Sequence, residues 1–387
     1  MTTALTASVV LTPLEQIERA VVLVEDGRIT AVGPRTQVAI PAGARTLDFS
    51  GNWLVPGLLD LHVHGGAGHD VMHADAAGMA EFEGFLARHG VSSYCPTTMT
   101  APMDTTLRSL EKLGRWVRDA RTRNHGRAQP LGIHLEGPFI SHAKRGVHPP
   151  ADLQEPSGTL FQKFWEAAQG EIRIMTVAPE LRGAEELIVQ AVERGVCVSL
   201  GHSDAGGAAT RAAIAAGARH ATHTFNAMRA LDHREPGIVG TVLSDGRVTA
   251  DIIADGVHIH PEVVQLFLRA KGTEGAVLIS DAISATGKPD GRYRLGSLEV
   301  EVKGDRCLSA EGKLAGSVLT LDRALRNIAA FAGLALKSGV RLATLNPARV
   351  LKVEAQRGTI AVGAHADLVV LSPAGEVVQT VTRGAGL

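Results

Sequence analysis

The segment Leu58–His64 has the pattern best suited to metal chemistry, because apolar and metal-ligating residue types alternate along it. This period of two places Asp60, His62 and His64 on one face of a predicted strand. Glycines follow directly and leave room beside the two imidazoles. An H-x-H segment alone is weak evidence for a metal, since two surface histidines near a loop give the same pattern.

Four further predicted strands end in the same kinds of residue, namely Glu136, His202, His223 and Asp281. Each of these residues alone has a structural explanation, such as a buried glutamate paired with arginine. The carboxyl ends of all strands in a β/α barrel meet at one face, so we expect the four side chains to join the first-strand histidines there. Histidine and carboxylate ligands suit zinc or iron, and the set therefore predicts a metal site.

The elements that must position these side chains are β/α units. Between residues 55 and 351, short β-branched runs alternate with alanine-rich stretches, which is typical of a parallel sheet with helical crossovers. The eight predicted strands are Leu58–Val63, Val91–Pro96, Leu131–Leu135, Ile172–Val177, Val196–Gly201, His220–Thr224, Val248–Ala254 and Ala276–Ser280. The predicted helices are Ala76–His89, Asp104–Arg123, Gly183–Arg194, Ala205–Ala216 and Pro261–Ala270, the fourth capped by Ser203 or Asp204 and ended by Gly217. Such units predict an α/β fold, a TIM-like (β/α)8 barrel.

Both chain ends instead show short β-rich runs with turn signals, including Asp26-Gly27 between two runs. The predicted terminal strands are Ser8–Thr12, Ala20–Glu25, Arg28–Val32, Asp367–Leu371 and Glu376–Val381. We therefore predict a small β-sandwich domain made of residues 1–54 and 352–387, beside a catalytic barrel domain of residues 55–351.

The composition limits the classes of partner. The 387-residue chain has 39 Lys and Arg against 40 Asp and Glu, which excludes a chain-wide attraction to nucleic acid or anionic membranes. Its cysteines are widely spaced, which disfavours a disulfide framework and a thiolate zinc site. The start of the chain has no basic signal-type region, and no apolar run is long enough to span a bilayer. We expect a soluble, cytoplasmic protein with no nucleic-acid or membrane partner.

Cationic residues cluster after the third and sixth predicted strands, at the same barrel mouth: Lys144, Arg145, His148, Arg229, His233 and Arg234. In a chain with almost no net charge, this cluster favours a phosphate-bearing substrate, because arginine offers a bidentate fork to phosphate. A solvated basic loop is the alternative explanation.

These motifs resemble those of the amidohydrolase superfamily, and within it the family of N-acetylglucosamine-6-phosphate deacetylases. The matching segments are residues 56–66, 134–139, 144–148, 201–203, 223–228, 255–258 and 280–282. With the β-rich ends, the resemblance covers nearly the whole chain. It implies a homodimer that hydrolyses the acetamide of N-acetyl-D-glucosamine 6-phosphate to D-glucosamine 6-phosphate and acetate, in amino-sugar catabolism and cell-wall recycling. Phosphate contacts across the dimer interface are one possibility.

By resemblance, Glu136, His202 and His223 hold the principal metal, while His62 and His64 could add a second with Glu136 as the bridge. Some family members lack the first-strand pair and work with one ion, so we expect one or two divalent ions per subunit, zinc or iron. Asp281 is expected to accept a proton from metal-activated water and to pass it to the departing nitrogen. Its alternative role is to orient a ligand histidine.

The resemblance also implies the substrate contacts and assigns His148 to the oxyanion. The implied substrate-binding residues are Val147, His148, Asn226, Ala227, Arg234, Asp255, His258, Leu314, Ala315 and Gly316. His134 shares a strand face with Glu136, but the family pattern gives it no ligand role. We predict that His89, His125 and His365 are solvated.

Two other functions fit parts of the pattern. A cyclic-amide hydrolase of the dihydroorotase or hydantoinase type shares the barrel but usually bridges its metals with a carboxylated lysine, where this chain has Glu136. A non-catalytic sugar-phosphate-binding protein needs no acid at the end of the eighth strand, yet Asp281 is present there.

Overall fold

The computed structural model describes residues 2–123 and 126–387. The strands are β1 (Thr3–Leu11), β2 (Gln16–Glu25), β3 (Arg28–Pro34), β4 (Arg45–Pro56), β5 (Leu58–Val63), β6 (Gly65–Gly66), β7 (His69–Asp70), β8 (Val91–Thr98), β9 (Gln129–Pro130), β10 (Ile133–Glu136), β11 (Ile172–Val177), β12 (Cys197–Leu200), β13 (His220–Ala221), β14 (Ala250–Ile253), β15 (Ala276–Ile279), β16 (Gly291–Leu295), β17 (Leu298–Lys303), β18 (Arg306–Ser309), β19 (Leu368–Leu371) and β20 (Val377–Val381). The helices are α1 (Ala76–Arg88), α2 (Met103–Ala120), α3 (Gly158–Ala167), α4 (Ala184–Glu193), α5 (Gly207–Ala216), α6 (Gly237–Ser244), α7 (Pro261–Gly275), α8 (Leu321–Ala332), α9 (Leu336–Leu342) and α10 (Leu345–Val350).

The predicted barrel strands are confirmed as β5, β8 and β10 to β15. One parallel ladder runs in the order β13-β12-β11-β10-β8-β5, and a second joins β14 to β15. Hydrogen bonds link the two ladders, from Thr224 N to Asp251 O at 3.0 Å and from Asp281 N to His62 O at 2.9 Å. The strands therefore surround one interior, and their carboxyl ends meet at one mouth.

The predicted helices are confirmed as α1, α2, α4, α5 and α7, but the predicted cap of α5 is wrong. The cap residue is Gly206, because the side chains of Ser203 and Asp204 are engaged elsewhere. Asp204 pairs with Arg229, for example. Gly217 ends the helix as predicted. Within the described residues, no helix is long and apolar enough to cross a membrane.

The two chain ends form one six-stranded mixed sheet in the order β20-β19-β4-β1-β2-β3. The Asp26-Gly27 turn joins β2 to β3, as predicted. The sheet has its own apolar cluster, which includes Leu5, Val22 and Val370. Arg357 ties the sheet to the barrel, since it donates to Asp367 beside β19 and to a serine of β8. That residues 1–54 and 352–387 form a domain separate from the barrel remains a prediction.

An antiparallel sheet of β16, β17 and β18 follows the eighth barrel strand and is not among the predicted elements. Leu295, Val300 and Val302 are buried on this sheet, while the alternating residues Glu299 and Glu301 are exposed. One face therefore packs against the protein, and Leu295 reaches the barrel mouth.

The stability of the terminal sheet is expected to depend on pH through His365. Burial, reinforced by Arg357, lowers the pKa of His365 to about 4. The unfolded chain binds this proton near pH 6.5 and the folded chain does not, so the free energy of unfolding falls as the pH drops from 6.5 toward 4. After discounting for a half-buried group, we expect a loss of about 1 kcal/mol between roughly pH 7 and pH 5. Urea unfolding should show a smaller loss in His365→Gln, and an equal loss would contradict this role.

Candidate active site and metal centre

A cavity of about 380 Å³ opens at the carboxyl ends of the barrel strands. The predicted ligands and base that line it are His64, Glu136, His202, His223 and Asp281. His62 is fully buried beside them, with its Nε2 atom 3.1 Å from His64 Nε2. The structure thus brings together all the side chains that the strand ends were expected to supply.

Glu136, at the end of β10, is the centre of this histidine cluster and is 2% exposed. Its Oε1 atom lies 3.0 Å from His223 Nε2 and 3.2 Å from His202 Nε2. Its Oε2 atom lies 3.4 Å from His62 Nε2 and 3.3 Å from His64 Nε2. Each carboxylate oxygen therefore faces its own pair of imidazoles.

This donor set fits a divalent cation on either side of Glu136. The two Nε2 atoms within each histidine pair lie 3.1 Å apart. Two ligands each about 2.1 Å from one tetrahedral ion are separated by roughly 3.4 Å, close to all of these distances. The Nδ1 atoms of His64 and His202 donate to backbone carbonyl oxygens at 3.1 and 2.9 Å, which directs their Nε2 atoms at the cluster.

Two carboxylates dominate the electrostatics of the cluster. Burial by itself lowers the pKa of His64, but hydrogen bonds to Asp281 and Glu136 outweigh it and raise this pKa to about 10. Burial is likewise outweighed by Glu136 at His223, whose pKa rises to about 9. Burial opposes ionisation of Asp281, yet the facing histidines lower its pKa to about 2. The ionised carboxylates therefore retain protons on the imidazoles, and they would equally attract a cation.

Strained backbone presents three of these side chains. Asp281, His202 and His223 have φ angles of 52°, 47° and 29°, a left-handed conformation that costs a non-glycine residue about 1–2 kcal/mol. The surroundings hold the strain in place: Asp281 N donates to His62 O at 2.9 Å, and Asp281 O accepts from Ser317 N at 2.8 Å. The Oδ1 atom of Asp281 then lies 3.4 Å from His62 Nε2, inside the cluster.

His148 presents a neutral hydrogen-bond donor to the same cavity. Its Nδ1 atom faces the backbone N–H of Thr100 at 3.3 Å and the Thr100 hydroxyl at 2.8 Å, both of which can donate. The ring proton then belongs on Nε2, which lies 3.6 Å from Glu136 Oε2. Burial lowers the pKa of His148 to about 4, so the ring is uncharged at neutral pH.

Most of the predicted substrate-binding residues line the cavity: Val147, His148, Asn226, Ala227, His258, Leu314 and Gly316. Asp255 stands behind His258, with its Oδ2 atom 2.7 Å from His258 Nδ1. Ala315 is fully buried, and Arg234 is exposed outside the cavity of this single chain.

The predicted cationic mouth is partly neutralised. Asp204 lies 3.1 Å from Arg229 and 3.8 Å from Lys144, and the His233 side chain is solvent-exposed. Lys144 and Arg145 nevertheless line the cavity.

The lining residues that were not predicted from the sequence include Met99, Leu295 and Lys313. A lone methionine after a strand is typical of a core, and Leu295 belongs to the unpredicted sheet, so neither carried a signal. Lys313 directly precedes the predicted Leu314 and was detectable from that adjacency.

His134 and His89, outside the proposed ligand set, have structural contacts. His134 donates from Nδ1 to Leu61 O at 3.0 Å and lies 2.8 Å from the Thr176 hydroxyl, in keeping with no ligand role. His89 is partly solvated, with 32% of its side chain exposed, and its Nδ1 atom lies 3.1 Å from Asp322. His125 lies outside the described residues.

A parallel (β/α)8 barrel with histidines and carboxylates at its strand ends is a scaffold for metal-dependent hydrolysis. The chain belongs to the amidohydrolase family, since the model of that family matches residues 53–385.

Several characterised proteins are similar along nearly their whole length. The N-acetylglucosamine-6-phosphate deacetylase of Bacillus subtilis (strain 168) is 34% identical over 97% of this chain and 94% of that protein. The N-acetylgalactosamine-6-phosphate deacetylase of Escherichia coli O157:H7 is 37% identical over 99% of both. A mutant N-acetyl-D-glucosamine-6-phosphate deacetylase from Mycobacterium smegmatis, solved in complex with N-acetyl-D-glucosamine-6-phosphate, is 36% identical with a TM-score of 0.92, covering 99% of this chain and 98% of that one.

Proposed function

We propose that this chain hydrolyses the acetamide of N-acetyl-D-glucosamine 6-phosphate, giving D-glucosamine 6-phosphate and acetate. The observation that carries the proposal is that Asp281, a proton acceptor, and His148, a hydrogen-bond donor, face one histidine cluster in one cavity. Amide hydrolysis needs both kinds of group, because negative charge develops on the carbonyl oxygen and the amine must leave protonated. The similarity to deacetylases of N-acetylated sugar phosphates supports the substrate class.

The proposed metal ligands divide into two groups that share Glu136. His202 and His223 would hold one ion together with Glu136, and His62 and His64 would hold a second with the same carboxylate. We propose zinc or iron, one or two ions per chain, from the nitrogen and oxygen donors. A bound divalent ion supplies Lewis acidity and brings the pKa of water to about 7.

Side chains of the protein then transfer protons and donate hydrogen bonds during the reaction. Asp281, ionised because of the facing histidines, accepts a proton from the attacking water and later gives it to the departing nitrogen. His148 donates a hydrogen bond from its Nε2–H to the carbonyl oxygen as negative charge develops there, and it keeps its proton. Thr100 keeps the His148 ring in the tautomer that can donate.

The opposite part of the cavity is suited to the sugar phosphate. We propose that Asn226, Ala227 and His258 contact the phosphate end, with His258 fixed by Asp255. Val147, Leu314 and Gly316 would form the walls around the sugar ring, while the buried Ala315 supports that segment. A cytoplasmic location is consistent with three free cysteines.

Arg234 lies outside the cavity of its own chain, so we propose that it reaches the phosphate in a homodimer, across the interface. Arg234→Ala should raise KM for the phosphorylated sugar by roughly 10-fold or more, with little effect on unphosphorylated N-acetylglucosamine. Mixing Arg234→Ala with Asp281→Asn chains should restore activity, because one site of the mixed dimer then contains both residues. Equal effects on the two sugars would assign Arg234 a structural role, and a mixture no more active than its parts would exclude action across the interface.

N-acetyl-D-galactosamine 6-phosphate is a second candidate substrate, favoured by the similarity to the E. coli deacetylase of that sugar. The two sugars differ only in the orientation of one ring hydroxyl. Acetate release by the metal-loaded chain should be measured for both phosphorylated sugars and for free N-acetylglucosamine. We expect the glucosamine derivative to have the highest kcat/KM and the free sugar to be at least roughly 100-fold poorer. Equal rates on all three, or on unrelated neutral amides, would contradict the proposal.

A further inference from the structure

A second cavity, of about 670 Å³, lies beside the catalytic cavity and shares only Thr100 with the residues of the proposed mechanism. Its walls come from the loops after β5 and β8, the start of α2 and the β16-β17-β18 sheet, and they include Met72, Ala101, Thr105 and Gly296. Of the described residues, only Met99 lines both cavities. Met99 therefore separates them.

Met99 fills the gap between β8 and the β16-β17-β18 sheet. It is 5% exposed, and its Sδ atom lies 3.8 Å from the position that a Cβ atom would take on Gly296. Its backbone N–H donates to the sulfur of Met72 at 3.2 Å, so Met72 lies directly beside it on the side of the second cavity. A smaller side chain at position 99 would join the two cavities.

Met99 lies on the side of the barrel opposite the proposed phosphate contacts. Met99 follows the second barrel strand, whereas Asn226 and His258 follow the sixth and seventh, on the opposite side of an eight-stranded barrel. Met99 also adjoins the catalytic groups, because Thr97 O accepts from His64 and Thr100 fixes His148. A substrate with its phosphate near His258 and its amide at the histidine cluster therefore directs its acyl group towards Met99.

We propose that Met99 determines acyl specificity: it limits the substrate to an acetyl group by closing the catalytic cavity against the second one. This inference rests on the proposed function. When Met99 is shortened, linear N-propionyl and N-butyryl groups would extend into the second cavity, while the sugar phosphate would keep its position.

The test compares N-acetyl-, N-propionyl- and N-butyryl-glucosamine 6-phosphate with the metal-loaded wild type, Met99→Ala and Met99→Leu. For the wild type we expect kcat/KM to fall roughly 10-fold or more with each added methylene, the usual discrimination of an apolar pocket. Met99→Ala should raise the butyryl-to-acetyl ratio of kcat/KM by about 10-fold or more, whereas Met99→Leu, which conserves volume, should keep the wild-type ratio. If the alanine variant fails to fold, Met99→Val replaces it in the test. This smaller change should move the butyryl-to-acetyl ratio in the same direction.

A second substitution shows where the longer chain binds. Ala101→Phe fills the second cavity without touching the proposed catalytic groups, so it should preserve acetyl hydrolysis alone and cancel the gain of Met99→Ala when combined with it. An unchanged ratio in folded, acetyl-active Met99→Ala, or a gain that survives Ala101→Phe, would overturn the role of Met99. Absence of acetyl hydrolysis by the wild type would overturn the proposed function instead.

Discussion

The Asp281→Asn variant is expected to lose acetamide hydrolysis by roughly 10³- to 10⁴-fold in kcat while keeping its bound metal. Asparagine has nearly the same shape but cannot accept and return a proton at the position 3.3–3.4 Å from the Nε2 atoms of His62 and His64. Steady-state acetate release on N-acetylglucosamine 6-phosphate would measure the loss, and elemental analysis would measure the metal.

The matched control is Asp305→Asn, the same chemical change at an aspartate paired with Arg323 away from the cavity. This control should retain wild-type kcat. If Asp281→Asn kept more than about a tenth of wild-type kcat, Asp281 would be an orienting residue and not the proton carrier.

The second large effect is expected for Glu136→Gln. Glutamine keeps the volume but removes the charge that both pairs of imidazoles face, so each proposed ion loses its shared ligand. We expect metal per chain to fall to about a tenth or less of wild type and kcat to fall by roughly 10³-fold or more, because the Lewis acid is lost with it. Elemental analysis of dialysed protein, followed by assay with added zinc, would measure both effects.

Glu83→Gln is the control for removing a buried carboxylate. Glu83 lies on α1, is 3% exposed, and accepts hydrogen bonds from Trp116 at 2.7 Å and Tyr94 at 3.1 Å, outside the histidine cluster. It should lower the free energy of unfolding without changing the metal content. Wild-type metal content in Glu136→Gln would refute the shared-carboxylate arrangement.

The barrel and its ligands were predictable because both depend on periodic patterns. Alternation along Leu58–His64 fixes which side chains face inwards, and barrel topology then brings Glu136, His202 and Asp281 to the same mouth. Some predicted strands extend beyond the residues that pair in the observed sheet. The run His220–Thr224, for instance, has only its first two residues in β13.

The rest of the site depends on contacts distant in sequence. The left-handed backbone at His202 and Asp281 is not marked by glycine, the usual signal of that conformation. The cap of α5 could not be placed because Asp204 looks like a capping residue, yet its carboxylate pairs with Arg229 across the loop. Met99 has the sequence pattern of a core residue, and only the adjacent cavities distinguish it.

The most direct test of metal-dependent deacetylation is a turnover experiment in ¹⁸O-labelled water. Zinc-loaded wild-type protein is incubated with N-acetylglucosamine 6-phosphate, and both products are quantified by mass spectrometry. We predict equimolar glucosamine 6-phosphate and acetate carrying a single ¹⁸O atom, with no product from chelator-treated protein. Absence of acetate from the metal-loaded protein, or equal acetate release from the chelator-treated protein, would contradict the account.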